Sequence, residues 1–348
     1  MTRFPQLLAA PLLAALLVVL PMAAYPARAQ QPAEIVVYST RYQEEDRQIF
    51  EKFTQDTGIV VHLVELDVDP LLDGKAASDS AGPADVVISS GAATLWRCAD
   101  LGLLRPFRSP QITLAVPAEF RDPAEQWVGL SKWARVIIYR KDHVDPAELK
   151  TYEDLADPKW QGRLLIRSST SIYNQALVAS MVAANGIEQT DAWATGLVAN
   201  FARVPQGGDG SQIKGLANDE GDVAISNTRY FARFASSEKL TEREVIDGLG
   251  VIFPNQDGRG TLVDIVGAGI GRQARNPQAA QRLIEFILRP DIQAVFAGGT
   301  LEYPIRTDIP PAPELQKLGS FKIDPSNVGR LGRFGPEAVQ IMTRAGWQ

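Results

Sequence analysis

The sequence predicts an α/β protein of two lobes joined by two chain crossings, on three observations. Apolar, strand-like runs alternate with helix-like periodicities from Glu34 onward. The alternation restarts in a second block at "WVGLSKWARVIIYRK". Strand character then returns at "VIFPNQDGRGTLVDIVGAGIGR" before helices close the chain, which is the pattern of a sheet left and re-entered.

The elements follow in order. Residues 1–29 read as an export leader, with Arg3 near the start, an apolar run from Leu7 to Leu20 and Ala27-Arg28-Ala29 as the cleavage site before Gln30. Pro11 and Pro21 break that run, which is too short for a spanning helix. "EIVVYST" is the first strand. Ile49 and Phe53, four apart, give the helix after it an apolar face that stops at Gly58. "IVVHLVEL" and "ADVVISSG" are further strands, and "AATLWRCADLGLL" is a helix carrying Cys98 as a buried thiol. In the second block, "LLIRSSTSIYNQALVASMVAANG" and "DVAISNTRYFARF" each read as strand, polar turn and helix. The expected boundaries are 30–130 for the first part of lobe one, 131–258 for lobe two, and 259–348 for the return to lobe one. The crossings fall near residues 130 and 258, the sheet is expected to be mostly parallel, and the closing helices are expected to pack largely on the first lobe.

Composition narrows the function. Without Arg3 and Arg28 the formal net charge moves from −6 to −8, and an acidic surface disfavours nucleic acid as a partner. One cysteine permits no internal disulfide, and two histidines exclude a histidine-rich metal site. "GAGIGR" lacks the third glycine of a dinucleotide fingerprint. No P-loop, G-x-S-x-G or H-E-x-x-H occurs, so no enzyme is expected.

Three tyrosines stand just past strands, at the edge where open α/β sheets place ligands: Tyr42, Tyr173 and Tyr230. Phenolates are hard anionic oxygen donors suited to a hard trivalent cation, and three of them neutralise one ferric ion. A free phenol ionises near pH ~10, so such a metal must help to expel the protons and affinity must fall in acid. Ser168, Ser169 and Thr170 precede a helix, where unpaired N–H groups and hydroxyls can hold an oxyanion. Ser89, Ser90 and Gly91 form a similar turn, which helix capping alone explains.

"STRYQEEDRQIFEKFTQDTGI", "KTYEDLADPKWQGRLLIRSSTSIYNQALVAS", "NFARVPQGGDGSQI" and "VIFPNQDGRGTLVDIVG" resemble the periplasmic ferric-iron-binding proteins of bacterial ABC importers, in particular the cyanobacterial branch. The resemblance spans essentially the whole chain after the leader. It implies a two-lobed type II periplasmic-binding-protein fold with two hinge crossings, a periplasmic monomer, an inner-membrane ABC permease as partner and Fe(III) as cargo, with a synergistic anion as a further ligand. The family's "SSxxxYNQ" tyrosine corresponds to Tyr173. Its "NTYY" pair becomes Arg229-Tyr230, its usual first-lobe histidine becomes Tyr42, a further tyrosine becomes Gln43, and a glutamate of some members becomes Ser90. Two donors are kept, one is exchanged for another hard donor, and two or more are missing.

Three readings of Arg229 stay open. It completes a tyrosinate iron site by holding an oxyanion. Alternatively, with Ser168, Ser169, Gln43 and Ser90, it grips an anionic organic solute or chelate without direct metal ligation. In the third, it pairs with a carboxylate such as Glu44 or Glu45. Trp133 and Arg135, near the first crossing, either line the cleft or pack the hinge.

Overall fold

The computed structural model describes residues 1–2, 33–73, 82–326 and 328–348, so the expected leader and its cleavage site lie outside the described residues. The strands are β1 Glu34–Ser39, β2 Val60–Glu65, β3 Val86–Ser90, β4 Leu104–Arg105, β5 Trp127–Arg140, β6 Leu164–Leu165, β7 Val223–Asn227, β8 Leu249–Ile252, β9 Val263–Gly271 and β10 Tyr303–Pro304. They run in the order β2-β1-β3-β9-β5-β7-β6, with β10 and β8 also on β5, and β4 on β9.

The 14 residues of β5 join two sheets. Trp127–Ala134 pair with β9, whereas Arg135–Tyr139 pair with β7 and Ile137–Arg140 with β8. The expected mostly parallel sheet is corrected: among the described strands only β1–β2, β1–β3 and β6–β7 are parallel. The cause is the double crossing, because β5 leaves the first sheet and β9 re-enters it in the opposite direction. Close approach explains the glycines of "GAGIG". A Cβ on Gly267 would lie 2.6 Å from Leu95 Cδ1, and one on Gly269 2.7 Å from Leu104 Cδ1. They are strand packing positions, with no phosphate-binding turn.

Helix Glu44–Thr57 buries Ile49, Phe50 and Phe53. It ends at Gly58, whose φ of 73° is costless for glycine and lets its N–H bond the Thr54 carbonyl at 2.8 Å. Helix Ala92–Asp100 buries Cys98, and burial pushes that thiol up to about 12. Helices Pro277–Ile287 and Pro290–Gly299 pack on the first sheet and on helix Glu44–Thr57. The last helix, Gly329–Arg344, corrects the expectation for the closing segment. Its apolar face of Leu331, Ala338, Ile341 and Met342 packs against Ile172–Asn185 of the second block as well as Ala92–Asp100 of the first.

One phenol ties both crossings. Buried Tyr152 donates to the Arg135 carbonyl at 2.5 Å, where β5 changes partners, and accepts from the Leu262 N–H at 3.2 Å, just before β9. Tyr152→Phe leaves both backbone groups short of a partner. The expected loss is about 1–3 kcal/mol of unfolding free energy, read as a lower urea midpoint at unchanged slope. An unchanged midpoint would show that the crossings hold without this hydroxyl.

Candidate metal centre

Each predicted donor follows its strand as the sequence suggests. Tyr42 stands three residues beyond β1, Tyr173 is the second residue of helix Ile172–Asn185, and Tyr230 is the third residue of helix Thr228–Ser236. Tyr173 and Tyr230 meet edge to face, with ring centroids 6.5 Å apart. Trp133 is buried behind them and packs edge-on against Tyr173 at 4.9 Å. It supports the pair from beneath rather than lining an open cleft.

Guanidinium groups surround the two phenols. The Arg167 and Arg135 guanidinium carbons lie 5.3 and 5.9 Å from the Tyr173 ring centroid, and that of Arg229 lies 5.1 Å from the Tyr230 centroid. Arg135 is fully buried. It binds Asp209, Asn227 Oδ1 at 2.9 Å and Asn174 Oδ1 at 2.6 Å, so it is a structural cation below the site. Arg167 Nη1 reaches the second oxygen of Asp209 at 2.6 Å. Three guanidinium groups are thus set against one shared aspartate and the carboxylate that binds Arg229.

Burial dominates the acidity of Tyr173 and raises its pKa well above the ordinary phenol value. The Tyr230 phenol adds to the rise, while Arg229 opposes it. Without a cation Tyr173 is therefore neutral at physiological pH. The surrounding positive charge makes ionisation less costly once a cation arrives.

The carboxylate on Arg229 is Glu302, bound by Nη1 at 2.8 Å. The expected pairing with Glu44 or Glu45 is corrected: Glu44 is exposed and pairs with Arg47 at 3.3 Å, Glu45 is half-buried, and Arg229 is turned into the interior onto Glu302. Glu302 also accepts from Ser131 Oγ at 2.6 Å and Arg41 Nη1 at 3.0 Å. Arg41, Glu302, Asp209 and Arg167 are the site residues that sequence reasoning missed. "TLEYP" carries no motif, and only the position of Arg41 beside Tyr42 was a usable signal.

Tyr42 stands apart. It is 54% exposed, and its hydroxyl donates to Asp67 Oδ1 at 3.3 Å. Partial desolvation and then the Asp67 charge raise its pKa. Asp67 lines a recess of about 840 Å³ that runs past Gly91 and Thr94 to Thr170, Ile172 and Gln175. Tyr42 thus sits at the rim of a space between the turns of the two sheets.

The predicted anion contacts are held in other ways. Ser169 N–H donates to the Gln348 carbonyl, Thr170 N–H to Ser168 Oγ and Ser171 N–H to the Ser168 carbonyl. Ser90 is buried at the end of β3 opposite Val266, and Gln43 precedes helix Glu44–Thr57 with its carbonyl accepting from Asp46. Among the described residues no group of three or more His, Cys, Asp or Glu side chains could hold a metal ion.

Comparison with known proteins bears on the family and the fold. Residues 48–323 match the bacterial extracellular solute-binding proteins. The chain is 42% identical over 315 residues to iron uptake protein A1 of Synechocystis sp., covering 90% of this chain and 88% of that protein. Its fold superposes on the Trichodesmium protein (IdiA, FutA) in complex with iron and citrate ligands with a TM-score of 0.86 at 41% identity, covering 91% of this chain and 100% of that one. The ferric binding protein of Campylobacter jejuni gives 0.85 at 34% identity over 90% of this chain and 100% of that one.

A folded-state pKa above the unfolded value makes the alkaline sign definite. Above pH ~10 the unfolded chain has lost the Tyr173 proton while the folded chain keeps it, so stability falls as pH rises. Ultraviolet titration of the metal-free protein should show a late phenolate component that Tyr173→Phe removes. A titration identical in the variant would refute the buried pair.

Proposed function

The chain belongs to the bacterial extracellular solute-binding protein family, and from that premise we propose that it is the periplasmic receptor of an ABC importer, carrying ferric iron on tyrosinates. Its fold is the two-lobed type II periplasmic-binding-protein fold. The carrying observation is the Tyr173–Tyr230 pair, 6.5 Å between centroids, inside a frame of guanidinium groups. Two hard phenolic donors from the second lobe form a half-site, and Tyr42 on the first lobe supplies the third. The exposed Tyr42 side chain is free to turn toward the pair on a fixed backbone, and the two crossings tied by Tyr152 form the hinge of the lobes.

Iron binding displaces three phenolic protons, so capture weakens in acid. Arg229 and Arg167 stabilise the phenolates, and the ion's own charge drives their ionisation despite the burial that opposes it in the free protein. The iron uptake relatives support ferric iron over a purely organic anion as cargo. The receptor delivers iron to a membrane permease without turnover, after export and removal of the leader.

The test is a visible absorption spectrum of the purified mature protein before and after ferric citrate. Tyrosinate-to-iron charge transfer should appear in the parent. Tyr173→Phe and Tyr230→Phe should each abolish tight binding with the fold intact, and Tyr42→Phe should weaken it by about tenfold or more. No band, with no iron by elemental analysis, would move the cargo to an anionic organic solute.

A further inference from the structure

Three buried charges connect the two turns that carry Tyr42 and Tyr230. Arg41 and Glu302 side chains are fully buried and Arg229 is 7% exposed, with Arg41 Nη1 to Glu302 Oε2 at 3.0 Å and Arg229 Nη1 to Glu302 Oε1 at 2.8 Å. Each guanidinium therefore takes a different oxygen of one carboxylate, and each arginine immediately precedes a proposed donor. Glu302 itself is fixed in the first sheet. It leads into β10, which pairs with β5 at Ser131 and Lys132, and Ser131 Oγ donates to it at 2.6 Å. Arg229 reaches it from the helix that follows β7 of the second sheet, so the contact joins the two sheets.

Arg41 has partners on several sides. Its Nε lies 3.0 Å from Asp46 Oδ2, its Nη2 donates to Thr300 Oγ1 at 3.2 Å, and its guanidinium carbon lies 4.2 Å from the Phe296 ring centroid. A buried cation between two carboxylates has little freedom, because moving away from either leaves charge under-compensated in a medium of low dielectric. That rigidity passes directly to the backbone of the Tyr42 turn.

We propose that Arg41, Glu302 and Arg229 form a buried latch that holds the Tyr42 and Tyr230 turns in one arrangement, making Arg229 a positioning residue for the cargo. A guanidinium cannot ligate a metal, and its position beside Tyr230 serves to tie that turn to the one across the cleft. The effect on cargo rests on the iron reading above, whereas the effect on the two turns does not.

The experiment uses the full mature protein with Arg229→Met and Arg229→Lys, the latter keeping a cation for Glu302. Hydrogen exchange is followed at residues 40–43 and 228–231. Arg229→Met should speed exchange at 40–43, remote in sequence, by about fivefold or more, and Arg229→Lys should largely restore protection. Unchanged exchange at 40–43 would overturn the latch whatever the protein binds. Should Arg229→Met fail to fold, Arg229→Gln, polar but uncharged, takes its place, with the same loosening expected at 40–43 and unchanged exchange there again overturning the latch.

The second measurement is ferric affinity by competition with citrate for Tyr42→Phe, Arg229→Met and the double variant. A latch makes the double variant only about as weak as the weaker single one, because Tyr42 is already misplaced once Arg229 is gone. Multiplying costs would overturn the positioning role. A parent that binds no iron but loosens at 40–43 on Arg229→Met would refute the iron reading and leave the latch standing.

Discussion

The arrangement around the cleft depends on the Glu302 carboxylate, which is fully buried and satisfied by Arg41, Arg229 and Ser131. Desolvation alone would push its pKa up. The two guanidinium groups outweigh that and hold it below the ordinary glutamate value, so it stays ionised. A buried ion pair gains little net stability over an apolar replacement, yet breaking one costs about 3–5 kcal/mol. Glu302 is thus better understood as a specifier of geometry than as a source of stability. It requires Arg229 to face inward, and with Arg229 placed, Tyr230 follows on the next position of the same helix.

A parallel arrangement exists on the other side of the phenol pair. Asp209 takes Arg135 on one oxygen and Arg167 on the other, and both guanidinium groups flank Tyr173. Two buried carboxylates therefore each hold two arginines, and three of the four, Arg135, Arg167 and Arg229, lie against Tyr173 or Tyr230. The carboxylates fix the cations, and the cations reduce the cost of making phenolates. Position 229 carries an arginine, which places a positive charge against the Tyr230 ring.

Much of the fold was legible in the sequence because it follows from periodicity. Ile49 and Phe53 marked the helix face that is buried, and the second appearance of strand character after residue 250 marked the return of the chain. Strand direction was not legible, since β5 and β9 are buried along nearly their whole length and a run buried on both sides reads alike in either sense. That Tyr173 and Tyr230 meet could be anticipated because each begins a helix that follows a strand. Glu302 and Asp209 could not. A lone acidic residue in "TLEYP" or "GGDG" differs from a surface charge only through partners more than forty positions away, and local pattern contains no information about them.

The same limit explains why the role of Arg229 could not be assigned from its neighbours. In sequence it stands beside Tyr230 and opposite no evident carboxylate, which is compatible with an anion contact, a surface ion pair or a buried tie. Its partner is fixed by a contact 73 positions away, made possible because β10 returns to β5 at Ser131. Topology therefore selects among chemistries that local sequence leaves equal. The crossing that brings Glu302 beneath Arg229 is the one that brings the Tyr42 turn onto the same carboxylate through Arg41. A double-crossed fold places the two donor turns far apart along the chain and lets one buried charge engage both, so a change at either turn is transmitted to the other without passing through the cargo.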